Sequence, residues 1–145
     1  MKDYESLSHT RWECKYHVVF VPKYRKKILY GQVRRYVGEV LKDLAKQKGL
    51  KVEEGHLCRD HVHMMISIPP KYSVSMMVGF LKGKSAIRLH QKFGKTRGSG
   101  KSFWARGYFV STVGLNEAQI RRYIQNQEDS DREEDDSGDK LDLGW

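Results

Sequence analysis

The sequence predicts an α+β fold: a ferredoxin-like antiparallel sheet of the split βαβ type, with helices on one face and an added C-terminal helix. Three observations predict it. Strand-like and helix-like periodicities alternate in the order β-α-β-β-α-β-α. The second and third strands are separated only by Arg59 and Asp60, a turn short enough to force an antiparallel hairpin. The chain has 145 residues, 39% hydrophobic and 31% charged, which suits one domain with one core.

Taken in order, residues 1–9 are polar and are expected to be loose. Trp12 to Val21 reads as a strand, with Trp12, Cys14, Tyr16, Val18 and Phe20 alternating with Glu13, Lys15, His17, Val19 and Val21. Pro22 ends it. From about Gln32 to Lys48, Val33, Tyr36, Val37, Val40, Leu41 and Leu44 recur at helical spacing, and Gly49 is placed to cap the helix. Lys51 to Cys58 is the second strand and Asp60 to Ile68 the third, stopped by Pro69-Pro70. Ser73 can cap a helix over about 74–92, whose expected buried stripe is Met76, Met77, Phe80, Leu81 and Ile87. Gly79 and Gly83, four apart, would leave a flat patch for a close backbone approach. Gly94 to Ser102 reads as a flexible basic loop and Phe103 to Val113 as a strand. Asn116, with Gln119 three residues on, caps a last helix running to about Glu128, with Ile120, Tyr123, Ile124 and Gln127 on one face.

The net charge of +9 is unevenly distributed: residues 1–127 hold 25 Lys/Arg and 9 Asp/Glu (+16), and residues 128–145 hold 2 and 9 (−7). This divides the chain into an ordered domain, 1–128, and an acidic tail, 129–145, expected to be disordered. A body this basic matches a polyanion, above all nucleic acid. No apolar run approaches the roughly 20 residues of a membrane span, and no signal peptide opens the chain. Cys14 and Cys58 form no CxxC and read as small buried hydrophobes in a reducing, cytoplasmic setting, not as a disulfide or zinc site. Gly98-Ser99-Gly100-Lys101-Ser102 resembles the end of a phosphate-binding P-loop, but the required glycine at 95 is Lys95 and no apolar strand precedes it. That excludes an NTPase of this type.

The third strand carries the candidate chemistry. With period 2, Val62, Met64, Ile66 and Ile68 face the core, and His61, His63, Met65 and Ser67 face the other way. Two imidazoles then stand about 6–7 Å apart along the strand, able to hold a metal ion or a phosphate. A half-exposed surface pair would have the same spacing. His17 could neighbour the pair or contact a phosphate. Lys23, Arg25, Lys26 and Lys27 surround Tyr24, a composition suited to a nucleic-acid backbone with a base stacked on the ring; Lys82, Lys84 and Arg88 follow on the second helix, and Arg106 in the last strand. On the last helix Tyr123 and Gln127 lie one turn apart. A phenol can attack phosphorus and conserve the energy of a broken phosphodiester as a phosphotyrosine, so that a strand can be rejoined without ATP. Its ordinary pKa of about 10 opposes this, and a divalent cation helps. Two His and one Gln would supply three neutral ligands. Tyr123 on a buried helix face also reads as packing, with Tyr108 and Tyr36 as other nucleophile candidates.

Several motifs together carry a resemblance. His61-Val62-His63 is the His-hydrophobe-His signature of HUH endonucleases. With it, Tyr16-His17-Val18-Val19-Phe20, Pro22-Lys23-Tyr24-Arg25, Leu81-Lys82-Gly83-Lys84-Ser85 and Arg122-Tyr123-Ile124-x-x-Gln127 resemble the single-tyrosine transposases of the IS200/IS605 group over about residues 10–128. The resemblance implies that His61, His63 and Gln127 hold a catalytic Mg²⁺ or Mn²⁺. It implies that Tyr123 is the nucleophile that attaches to a 5′ phosphate and frees a 3′-OH. It further implies cleavage and rejoining of single-stranded DNA at hairpin-marked transposon ends by a homodimer, whose active sites can be completed in trans. The acidic tail is outside the motif set. A histidine-triad hydrolase would need a third His where Met65 stands, and a two-histidine phosphoesterase a second His-x-Ser/Thr motif. The serious alternative is a non-catalytic single-stranded nucleic-acid-binding module on the same fold, which metal-dependent covalent capture of DNA would exclude.

Overall fold

The two-residue turn at Arg59-Asp60 sets the register of the central hairpin. In a computed structural model, which describes residues 5–7, 9–94, 102–113 and 121–126, strand β4 (Lys51–Cys58) pairs antiparallel with β5 (His61–Ser67), Cys58 opposite His61 and His56 opposite His63. On its other side β5 pairs antiparallel with β3 (Lys15–Phe20), and β3 with β6 (Phe109–Thr112), so the sheet order is β4-β5-β3-β6. Helices α1 (Gly31–Gln47) and α2 (Val74–Phe93) connect β3 to β4 and β5 to β6. This is the expected split βαβ arrangement, and both helices fall where the periodicity put them.

The core lies between the sheet and these helices. Val18, Phe20, Leu57, Val62, Met64 and Ile66 of the sheet meet Val37, Leu41 and Leu44 of α1 and Met77, Val78, Leu81 and Leu89 of α2. Each fully buried side chain of this kind stabilises by about 1.5–3 kcal/mol. Gly49, at φ +69°, ends α1 as a left-handed cap: its N–H donates to the Lys46 carbonyl and that of Leu50 to the Ala45 carbonyl. Ser73 caps α2 by accepting from the Met76 N–H at 3.1 Å. Trp104 closes one side of the core, edge-on to Phe20, and its indole N–H donates to Ser85 Oγ at 2.9 Å.

Four expectations need correction. The N-terminus is not loose throughout: β1 (Glu5–Leu7) and β2 (Thr10–Trp12) form a small hairpin, and the long first strand is broken at Glu13-Cys14. The last strand is confined to β6, while Phe103 and Trp104 are buried in an irregular segment bridged to Pro22. Met76 (60% exposed) and Ile87 (52% exposed) are outside the buried stripe of α2, which runs through Met77, Leu81, Ser85 and Leu89. Side chains at i, i+4, i+8 and i+12 share one face, and Ser85 belongs to it as the indole's acceptor. Finally, among the described residues nothing lies within 4 Å of a Cβ placed on Gly79 or Gly83, so none of their backbone approaches there. Among the described residues, no helix is long and apolar enough to cross a membrane. The expected loop at 95–101, the helix start at 114–120 and the acidic tail lie outside the described residues.

Candidate active site

Alternation along β5 sends Val62, Met64 and Ile66 into the helix layer and turns His61 and His63 to the opposite face. That face is not open along its length. A helical segment at 121–126 lies on it, anchored by Ile124, which packs with Met65 and Val113 in a second, smaller core. Arg121 ties the start of this segment to β4, with its guanidinium 3.3 Å from Glu53 and 3.2 Å from Glu54. A register irregularity between Val52 and Glu54 lets two successive carboxylates meet one guanidinium. Burying Ile124 leaves its neighbour Tyr123 at the edge, 53% exposed, its ring centroid 5.8 Å from that of His63 and 6.3 Å from that of His17.

The two histidines are close and individually held. Their ring centroids are 4.5 Å apart, and His63 is 6% exposed. His61 Nδ1 lies 2.6 Å from Asp60 Oδ1, and Asp60 Oδ2 lies 3.0 Å from Arg25 Nε. Burial pushes the Asp60 carboxyl up, but the hydrogen bond and charge of His61 and the charge of Arg25 outweigh it and hold the carboxyl below its ordinary value. An ionised Asp60 accepts from His61 Nδ1–H and leaves Nε2 free to bind a cation. His17 plays the corresponding part for His63, with Nε2 of His17 3.3 Å from Nδ1 of His63 and the rings nearly parallel. Burial lowers the His17 pKa, which favours the neutral ring that can accept this hydrogen bond.

The donor set fits a metal ion. One ligand atom from each of His61, His63 and Cys58 falls within 4.8 Å of the others, a spacing that modest side-chain movement converts to ligation at about 2.0–2.3 Å. Sequence reasoning found the His pair and pointed to His17, but read Cys58 as packing only and missed Asp60 as an orienting group. The signal for Cys58 was the two-residue turn, which forces it opposite His61. Gln127, the expected third ligand, lies outside the described residues.

The expected DNA contacts divide into groups. Tyr24 and Arg25 on a 3-10 turn (Lys23–Arg25), and Lys26 and Lys27 just after it, are exposed, with Lys23 half-buried beside them. The Tyr24 ring is 75% exposed and has the Lys23 and Lys26 ammonium groups 5.6 and 5.9 Å from its centroid. Tyr24 and Arg25 both have positive φ, 60° and 51°, a conformation uncommon for such side chains. Arg25 joins this turn to the site through Asp60. Lys82, Lys84 and Arg88 are on α2, across the sheet from the His pair. Lys82 donates to the carbonyls of Ala105 and Gly107, both at 2.7 Å, and Arg88 pairs with Asp43 at 2.8 Å. Lys84 and Arg106 are exposed.

Comparison with known proteins points to one family. The family described as Transposase IS200 like matches residues 10–127. The transposase for insertion sequence element IS200 of Salmonella typhimurium is 48% identical over 147 residues, covering 100% of this chain and 94% of that one. The ISDra2 transposase TnpA of Deinococcus radiodurans is 33% identical over 123 residues, covering 83% and 88%. A crystal structure of a Deinococcus radiodurans protein described as a transposase superposes with a TM-score of 0.69 at 32% identity, over 88% of this chain and 98% of that one. A REP-associated tyrosine transposase bound to a REP hairpin shares the fold, with a TM-score of 0.60 at 12% identity over 88% of this chain and 72% of that one.

Proposed function

The chain belongs to the IS200-like transposase family, and from that premise we propose that it cleaves and rejoins single-stranded DNA at hairpin-marked transposon ends through a 5′-phosphotyrosine on Tyr123. The observation that carries this reading is the exposed Tyr123 ring 5.8 Å from His63, beside a His pair whose Nδ1 atoms are both engaged. A packing tyrosine would be covered by its helix; here the adjacent Ile124 takes that place.

In this reading the Tyr123 oxygen attacks the phosphorus, the bond to the 3′ oxygen breaks, and that oxygen leaves with a proton as a 3′-OH. The phosphotyrosine keeps the energy of the broken bond, so a 3′-OH from another end can displace Tyr123 without ATP. His61 and His63, with Gln127 one turn beyond Tyr123, are the groups that would hold a divalent cation of the Mg²⁺ or Mn²⁺ kind. When bound, such a cation neutralises charge developing on the phosphate oxygens. Asp60 and His17, at the two Nδ1 atoms, hold the rings in orientation. Lys23, Arg25, Lys26 and Lys27 contact the backbone of the strand, with Tyr24 offering a stacking surface. The +16 charge of residues 1–127 draws the polyanion in.

Tyr123 lies beside the His pair of its own chain, which supports a site assembled in cis. A homodimer is supported by the sheet's edge. Among the described residues β6 has a strand neighbour on one side only, and it exposes Phe109 (57%) and Val110 (38%). An apolar unpaired edge is a template for a second copy. The hairpin partner is supported by the REP-associated relative of the same fold.

The test is covalent trapping. Labelled single-stranded DNA from the ends of the chain's own element is mixed with protein, with Mg²⁺ or EDTA, and run on a denaturing gel. A metal-dependent protein–DNA band, absent in Tyr123→Phe and in His61→Ala, is expected. Salt-sensitive binding to the same DNA with no such band would instead make the protein a non-catalytic binding module.

A further inference from the structure

We propose that Cys58 joins His61 and His63 as a third ligand and gives this centre a separate binding mode for a soft divalent cation of the zinc class. The proposal rests on the reading of the His pair as a ligand pair, and adds to it a thiolate.

The placement follows from the hairpin. The turn at Arg59-Asp60 puts Cys58 directly opposite His61, and paired residues of an antiparallel ladder send their side chains to the same face. Sγ therefore emerges beside the imidazoles, with its ligand atom and theirs within 4.8 Å of one another. Cys58 is buried and is not in a disulfide. His61 and His63 are each oriented by a contact at Nδ1, from Asp60 and His17. Two imidazoles and a thiolate form a donor set matched to Zn²⁺ or Co²⁺, whereas Mg²⁺ and Mn²⁺ prefer carboxylate, carbonyl and water oxygens. On binding, the thiol proton goes to solvent and a metal–sulfur bond forms, with no change of oxidation state. The two modes compete for the same two histidines, so a soft cation excludes the oxygen-seeking one.

The test uses the full-length, reduced, metal-free protein. With one equivalent of Zn²⁺, X-ray absorption should show a sulfur shell at about 2.3 Å beside nitrogen at about 2.0 Å. The shell should persist in Cys14→Ala, which removes the other thiol. Titration should show Zn²⁺ affinity falling at least about tenfold in Cys58→Ala, as expected when a ligand is lost, with Mn²⁺ affinity unchanged. A nitrogen- and oxygen-only shell in the wild type overturns the proposal, whether or not Cys58→Ala folds. If that shell comes with Zn²⁺ binding lost in His61→Ala, the His pair stands as a ligand pair and only the role of Cys58 falls. If Zn²⁺ binds His61→Ala as tightly as wild type, both readings fall.

Discussion

His17 and His63 meet edge to edge in nearly parallel planes, 5.5 Å between ring centroids and 6° from parallel, with Nε2 of His17 3.3 Å from Nδ1 of His63. The contact spans β3 and β5, the two strands that pair at the centre of the sheet, so the orientation of His63 is tied to the sheet itself. By accepting from His63 Nδ1–H, His17 would fix the tautomer and angle of that ring. His17→Ala should therefore weaken divalent-cation binding by about 10–100-fold, and His17→Gln, which keeps an acceptor, should recover part of it. Calorimetric titration with Mn²⁺ checks this; equal affinity in wild type and His17→Ala would remove His17 from the account.

The basic residues should separate by role. Each of Lys26→Ala and Lys27→Ala should weaken DNA binding and reduce the slope of log affinity against log salt by about one. Lys82→Ala should act on stability instead. It removes two hydrogen bonds that hold the segment carrying Trp104 and Gly107, and about 1–3 kcal/mol should appear in urea unfolding. A salt slope that is the same in wild type and both loop variants would rule out phosphate contacts there.

Gly79 and Gly83 are in the interior of α2 with open space where a Cβ would be. Alanine at either position should stabilise the free protein by about 0.5–1 kcal/mol through the reduced entropy of the unfolded chain. Thermal unfolding reads this directly. Destabilisation would mean that something packs against these glycines after all.

Asp43 links α1 to α2 through Arg88. The hydrogen bond from Arg88 is the main reason its carboxyl lies below the ordinary range; burial opposes this, and Gln47 and the charges of Arg88 and Lys46 assist. A depressed carboxyl pKa means that the unfolded chain binds its proton first as pH falls. The stabilisation is complete above the unfolded value of about 3.9 and is lost as pH drops through the folded one. Asp43→Asn should lose less stability than wild type on going from neutral pH to below about pH 4. Parallel pH profiles would contradict this.

The sequence made the sheet legible because its strands alternate cleanly. Val62, Met64 and Ile66 could face only a core, which exposed the His pair as a pair. What stayed hidden depended on partners far along the chain. Arg34, in a helix read from its apolar spacing, is fully buried because its guanidinium donates to the Leu57 carbonyl. The β1–β2 hairpin is held by backbone pairing, which leaves no hydrophobic pattern to read. Met76 and Ile87 looked like core because they are apolar, but the face of α2 is chosen by Trp104, whose indole needs Ser85. The role of Asp60 needed the Arg25 turn to come alongside, and that of Cys58 needed the hairpin register to be followed one pair further.

The central claim is that Tyr123, and no other of the eight tyrosines, forms the bond to DNA. The most direct measurement is to trap the covalent complex, digest the DNA and the protein, and locate the nucleotide by mass spectrometry. Trypsin cuts after Arg122, so Tyr123 begins the peptide 123–132. The account predicts a 5′-phosphonucleotide on that peptide, lost in Tyr123→Phe. An adduct on the peptides holding Tyr24, Tyr36 or Tyr108, or one linked through a 3′ phosphate, would contradict it.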